Sequence, residues 1–95
     1  MIFKIMDVDY EVIKDDNKSF DLEETNNLFT DYFIPYDYVL GDYSYGKLRL
    51  KGFYDPKNKK VNKINNYKDI DNYINKYCSF NCNYFILKKA KNNTN

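Results

Sequence analysis

The chain has 95 residues, of which 43% are hydrophobic and 31% charged, and a formal net charge of +1. That length builds one domain around a single modest core and excludes a cleft between two domains. MIFKIM runs directly into DVDYE and no later apolar run is long enough to span a bilayer, so neither a signal peptide nor a membrane segment is expected and the chain reads as cytosolic.

FKIM and YEVIK are short and partly alternating, and they flank a tight Asp7-Val8-Asp9 turn, which predicts a first hairpin. In SFDLEETNNLFTDYF, Asp21 and Glu24 form a D-x-x-E capping signal, and Leu22, Asn26, Phe29 and Phe33 follow helical spacing up to Pro35. A second hairpin is predicted over residues 36–54, and Asp55-Pro56 then opens a lysine-rich loop. Asn65 or Asn66 caps a second helix whose stripe is Tyr67, Ile70, Ile74 and Tyr77, a set read as core. NYFILKK makes the last strand. The order ββαββαβ describes an α+β domain over residues 1–90, mainly antiparallel with both helices packed on one sheet face, followed by a polar tail at 91–95.

The second hairpin, YDYVLGDYSYGKLRLKGFY, interleaves aromatic rings with cations. A three-residue loop of Ser44, Tyr45 and Gly46, with glycine supplying positive φ, sets Tyr43 opposite Lys47. In that register Tyr36, Tyr38, Leu40, Leu48, Leu50 and Tyr54 point to the core, and Tyr43, Lys47, Arg49, Lys51 and Phe53 to solvent, with Gly41 facing Arg49. A two-residue loop moves Tyr36 and Tyr38 to the cationic face.

That hairpin together with YCSFNCNYFILKK resembles the YutD-like family of small bacterial proteins, which carry a D-Y-x-x-G-D-x-x-Y-G-x-L-R-L-K-G-F core before a Y-C-x-F-x-C-x-Y-F-x-L-K-K end. The resemblance covers nearly the whole chain. It implies a compact α+β cytosolic domain and an association with transcriptional regulation, and it supplies no catalytic residues. Asn81 stands where glycine is common between the cysteines, an exchange that suits a left-handed backbone.

The residues themselves speak against an enzyme. Histidine is absent, as are dinucleotide and phosphate-loop motifs and a nucleophile elbow. Asp37 and Asp42 border the hairpin as a formal acid–base pair, but beside Arg49 and Lys47 they read first as ion partners. Cys78 and Cys82, as C-x3-C, read first as buried thiols packing the junction between helix and strand. A reversible disulfide is the second reading of that pair, and a metal site, weakly supported because zinc takes four ligands, the third. No cofactor is expected.

The charge distribution sharpens the functional reading. Residues 1–46 sum to −8 and residues 47–95 to +9, so the small net charge conceals a dipolar chain. All but one of the basic residues are lysine, a bias expected of an AT-rich genome, which makes the single Arg49 a position where a planar fork is wanted. Tyr43, Lys47, Arg49, Lys51 and Phe53, extended by Lys57, Lys59, Lys60 and Lys63, form the candidate platform for RNA or DNA, with rings to stack on bases and cations to neutralise phosphates. An internal bridge from Arg49 to Asp37 or Asp42 competes with phosphate contact. The expected function is a non-enzymatic module that binds nucleic acid or a ribonucleoprotein. The alternative is a protein-interaction adaptor or regulatory cofactor that uses Asp15, Asp16, Glu23, Glu24 and Asp31 of the acidic half.

Overall fold

A computed structural model describes residues 2–78 and 82–90. The polar tail and Asn81 lie outside the described residues. The strands are β1 (Ile2–Ile5), β2 (Val8–Asp15), β3 (Tyr38–Ser44), β4 (Lys47–Phe53) and β5 (Tyr84–Lys89), with helices α1 (Leu22–Leu28) and α2 (Ile70–Tyr77). They form one antiparallel sheet in the order β1-β2-β5-β3-β4, so the last strand in sequence inserts between the two hairpins. The α+β class and the element order are those the sequence predicts.

Both hairpins turn on two residues rather than three. Met6 (φ 52°) with Asp7 (φ 65°), and Tyr45 (φ 55°) with Gly46 (φ 76°), all take positive φ, the signature of type I′ turns whose twist matches that of the strands. Ser44 therefore pairs with Lys47, Tyr43 with Leu48, and Asp42 with Arg49. A one-residue slip exchanges the faces of a strand. Val39, Gly41, Tyr43, Leu48 and Leu50 lie on one face, and Tyr38, Leu40, Asp42, Arg49, Lys51 and Phe53 on the other.

Each face carries its own core. Ile5, Tyr10, Phe29, Val39, Phe85 and Leu87 pack together on the α1 side, and Tyr38, Leu40, Phe53, Ile70 and Ile86 on the α2 side. The helices thus cover opposite faces of the sheet, not one. The reason is visible in β5, where Phe85, Ile86 and Leu87 are consecutive and all buried, as a strand covered on both sides requires.

The first helix is also shorter than its periodicity suggests. Asp21 caps it by accepting from the Glu24 amide at 3.0 Å, but Phe29 is already extended (φ −73°, ψ 137°). Thr30 then caps a separate 3-10 turn, Asp31–Phe33, through its hydroxyl and the Tyr32 amide. This break swings Phe29 into the core edge-on to Tyr10, with ring centroids 5.5 Å apart. Asn66 caps the turn leading into α2, and Tyr67 stacks on Tyr38 at 3.6 Å.

Tyr10 is fully buried and its hydroxyl has no partner among the described residues. Burial pushes it up to about 12 from a usual value of 10. The folded protein therefore holds this proton more tightly than the unfolded chain, and the stabilisation, complete below about pH 10, drains away as pH rises toward about 12. Tyr36, hydrogen-bonded to Tyr32, and Tyr43, partly buried, are also raised to about 12. Tyr10→Phe is expected to leave Tm unchanged or higher at neutral pH, because it removes an unpaired hydroxyl, and to blunt the alkaline fall of Tm without abolishing it. Thermal melts of both proteins between pH 8 and pH 12 check this, and a parallel fall in the two would refute it.

Candidate interaction surface

The cationic strand β4 is held from its α2 face. Arg49 Nε donates to Asp42 Oδ1 at 2.9 Å, and Nη2 reaches the same carboxylate at 2.9 Å, Ser44 Oγ at 3.0 Å and the Tyr77 carbonyl at 3.0 Å. Asp42 is only 4% exposed. The hydrogen bond to Asp42 raises the Arg49 pKa further. The planar fork thus clamps the hairpin to the end of α2, as the internal-bridge reading has it, with Asp42 as the partner. Asp37 is engaged elsewhere, accepting from the Asp55 amide at 2.8 Å and Asn58 Nδ2 at 3.0 Å, so the two aspartates do not meet as an acid–base pair.

The expected solvent-facing array is not assembled. Tyr43 lies on the α1 face, where its hydroxyl donates to a Glu24 carboxylate oxygen at 2.8 Å. Phe53 is 1% exposed and meets Tyr73 edge-on. The Lys51 ammonium sits over the Phe53 and Tyr73 rings, 5.1 and 5.5 Å from their centroids. Lys47, Lys57, Lys59, Lys60 and Lys63 are exposed. The loop carrying the last four is shaped by side-chain turns: Asp55, Asn58 and Asn62 accept at 2.9 Å from the amides two residues on.

Rings and cations do converge nearby. A groove of about 560 Å³ runs between β4, the loop and α2, floored by Phe53 and Tyr73 and flanked by Ile64 and Tyr77. Lys51, Lys63 and Lys76 rim it, with Asp69 the one carboxylate among its lining residues. Ile64 is 74% and Tyr77 51% exposed. Burial raises the Tyr73 pKa above its usual value. Sequence reasoning assigned Tyr77 to the core and passed over Ile64, Tyr73 and Lys76. The signal was the i, i+4 pair Tyr73 and Tyr77, whose rings lie 4.6 Å apart.

The acidic half is partly spent on structure. Asp15 accepts from the Phe20 amide at 2.9 Å, and Glu24 holds Tyr43. Asp15, Glu23, Glu24 and Asp31 are exposed and Asp16 is half-buried. Cys78 and Cys82 are paired as a disulfide, the second reading of that C-x3-C pair, in place of packed thiols. The bond ties the end of α2 to the approach to β5. Among the described residues no three His, Cys, Asp or Glu side chains gather as a metal site, and no helix is long and apolar enough to cross a membrane.

The profile of the family described as "Putative antitoxin YutD-like" matches residues 4–88. The chain belongs to the YutD-like family. It is 37% identical over 87 residues to "Putative antitoxin YutD" of Bacillus subtilis (strain 168), a match that spans 92% of this chain and 96% of the relative. Its fold is similar to the solution NMR structure of protein YutD from B. subtilis, with a TM-score of 0.77 and 34% identity over 99% of this chain and 88% of the other. Arg49, which clamps β4 to α2, stands in the Gly-Lys-Leu-Arg-Leu-Lys-Gly run inside the matched residues.

Proposed function

We propose that this protein is a non-enzymatic, cytosolic module that binds a protein partner in the manner the name antitoxin implies. The observation that carries this reading is the groove of Ile64, Tyr73 and Tyr77 rimmed by Lys51, Lys63 and Lys76. Exposed aromatic and aliphatic side chains supply the contact area that dominates protein recognition, and a cationic rim selects a partner segment that carries carboxylates. The titratable groups lining the groove are lysines, tyrosines and one aspartate, a set suited to holding a ligand. In the cytosol the Cys78–Cys82 link would be a reversible bond rather than a permanent staple.

A second reading keeps nucleic acid as the ligand, and its support is the run of exposed Lys57, Lys59 and Lys60 in the loop that also carries Lys63. Crosslinked pull-downs from native lysate, with and without nuclease, separate the two. Protein binding predicts that one specific partner survives nuclease and is lost with Tyr77→Ala or Lys63→Glu. Capture that nuclease abolishes, with a steep loss of affinity in salt, would favour nucleic acid instead.

A further inference from the structure

The sheet ends at two edges of different character. β1 has four residues, whereas β4 has seven. Along β4 the Phe53 carbonyl accepts from the Asp37 amide on the β3 side, so by strand alternation Lys47, Arg49 and Lys51 also turn their backbone groups toward β3. Leu48, Leu50 and Gly52 turn theirs outward, and among the described residues no strand pairs with that edge. Tyr54, the next outward position, shows what the edge does when it is filled: its amide donates to the Asn65 carbonyl at 2.7 Å and its carbonyl accepts from the Tyr67 amide at 2.9 Å. This makes a single parallel bridge to Asn66.

Lysine on an edge strand commonly guards it against pairing. Here two of the three cations are turned away from the edge. Arg49 is tied back to Asp42 and Tyr77, and Lys51 is drawn over the Phe53 and Tyr73 rings. Leu48 and Leu50, both half-buried, are left able to hydrogen-bond along this edge, while Gly52 is buried.

We infer that β4 is a docking edge that takes an extended segment of the partner as a sixth strand, with acidic side chains on the α2 face and apolar ones on the α1 face. The inference rests on the protein-binding reading and names the form of that partner. Charge decides the pattern. A residue added beside Lys47 or Lys51 lies on the face of the cationic groove, and one beside Leu48 or Leu50 extends the half-buried apolar face. A second copy of this chain is the wrong occupant. An antiparallel β4 pair centred on Leu50 sets Arg49 opposite Lys51 twice, and like charges directly opposite destabilise a sheet.

The probe is a ten-residue peptide of alternating Glu and Val at about 1 mM, added to the intact protein and followed by amide hydrogen exchange. The expected result is slowed exchange at Leu48 and Leu50. A Lys-Val peptide, or the Glu-Val peptide N-methylated at alternate residues, should be at least about tenfold weaker. Leu50→Pro removes an outward amide that the β3 ladder does not use, so it should fold and lose the protection. The N-methylated peptide makes the same test without altering the protein. Absent protection, equal protection by the Lys-Val or N-methylated peptide, or protection that grows with protein concentration alone would each overturn strand addition. Partner capture that Tyr77→Ala abolishes but Leu50→Pro leaves intact would overturn it too, while sparing the binding function itself.

Discussion

Gly41→Ala is expected to lower the unfolding free energy by about 3 kcal/mol, the upper end of what overpacking a core costs. A Cβ at Gly41 would fall on the ring of Phe85, directly across the β3–β5 pairing. That ring has no room to retreat, since Phe85 is 0% exposed and Phe20 packs edge-on against it with centroids 5.0 Å apart. Gly52→Ala supplies the comparison. Its Cβ would meet the root of the Tyr36 ring, which packs on Tyr54 with centroids 4.5 Å apart and hydrogen-bonds Tyr32, so the ring cannot swing clear and a loss of about 2–3 kcal/mol is expected there as well. Urea denaturation of both variants measures the two losses. Adding Phe85→Leu to Gly41→Ala should recover part of the loss, because the two changes share one space. A Gly41→Ala variant as stable as the unmutated protein, or a double variant that recovers nothing, would refute this packing account.

How far the sequence could be read depends on where local and tertiary preferences agree. The D-x-x-E cap at Asp21, the cap at Asn66 and the strands of both hairpins follow local rules, and the fold obeys them. The turns did not yield to the same reading. Type I′ loops favour Asn and Gly, and Met6 and Tyr45 are poor candidates for positive φ, so a three-residue loop ending in Gly46 looked cheaper. The tertiary arrangement settles it otherwise. Only the two-residue register puts Val39 on the face of Leu48 and Leu50, with α1, and Tyr38 and Leu40 on the face of Phe53, with α2. The same one-residue difference decided the functional reading, because it carried Tyr43 away from Arg49 and brought Asp42 opposite it. The extra length given to the first helix arose from a periodicity that continues through Phe33 although Thr30 offers the backbone a local hydrogen bond instead. The groove was illegible for a different reason: Ile64, Tyr73 and Lys51 come from three separate segments, and no spacing rule within one segment joins them.

Arg49 offers the second large effect and decides between scaffold and ligand contact. Arg49→Ala leaves the carboxylate of Asp42 buried with one remaining donor, Ser44 Oγ at 3.1 Å, and unpins the Tyr77 carbonyl. Breaking a fully buried pair costs about 3–5 kcal/mol, but the Arg49 side chain is 47% exposed and water screens that end, so a loss of about 2–3 kcal/mol is expected. Arg49→Lys should fall between, because one ammonium cannot reach Asp42, Ser44 and the Tyr77 carbonyl together. Asp42→Ala combined with Arg49→Ala should be less damaging than the sum of the single changes, since neither charge is then left unpaired. Chemical denaturation of the four proteins gives the coupling. If Arg49→Lys keeps its stability yet loses the partner, the guanidinium is a ligand contact; if stability falls and partner capture persists at a temperature where the variant is folded, it is the clamp that holds β4 to α2.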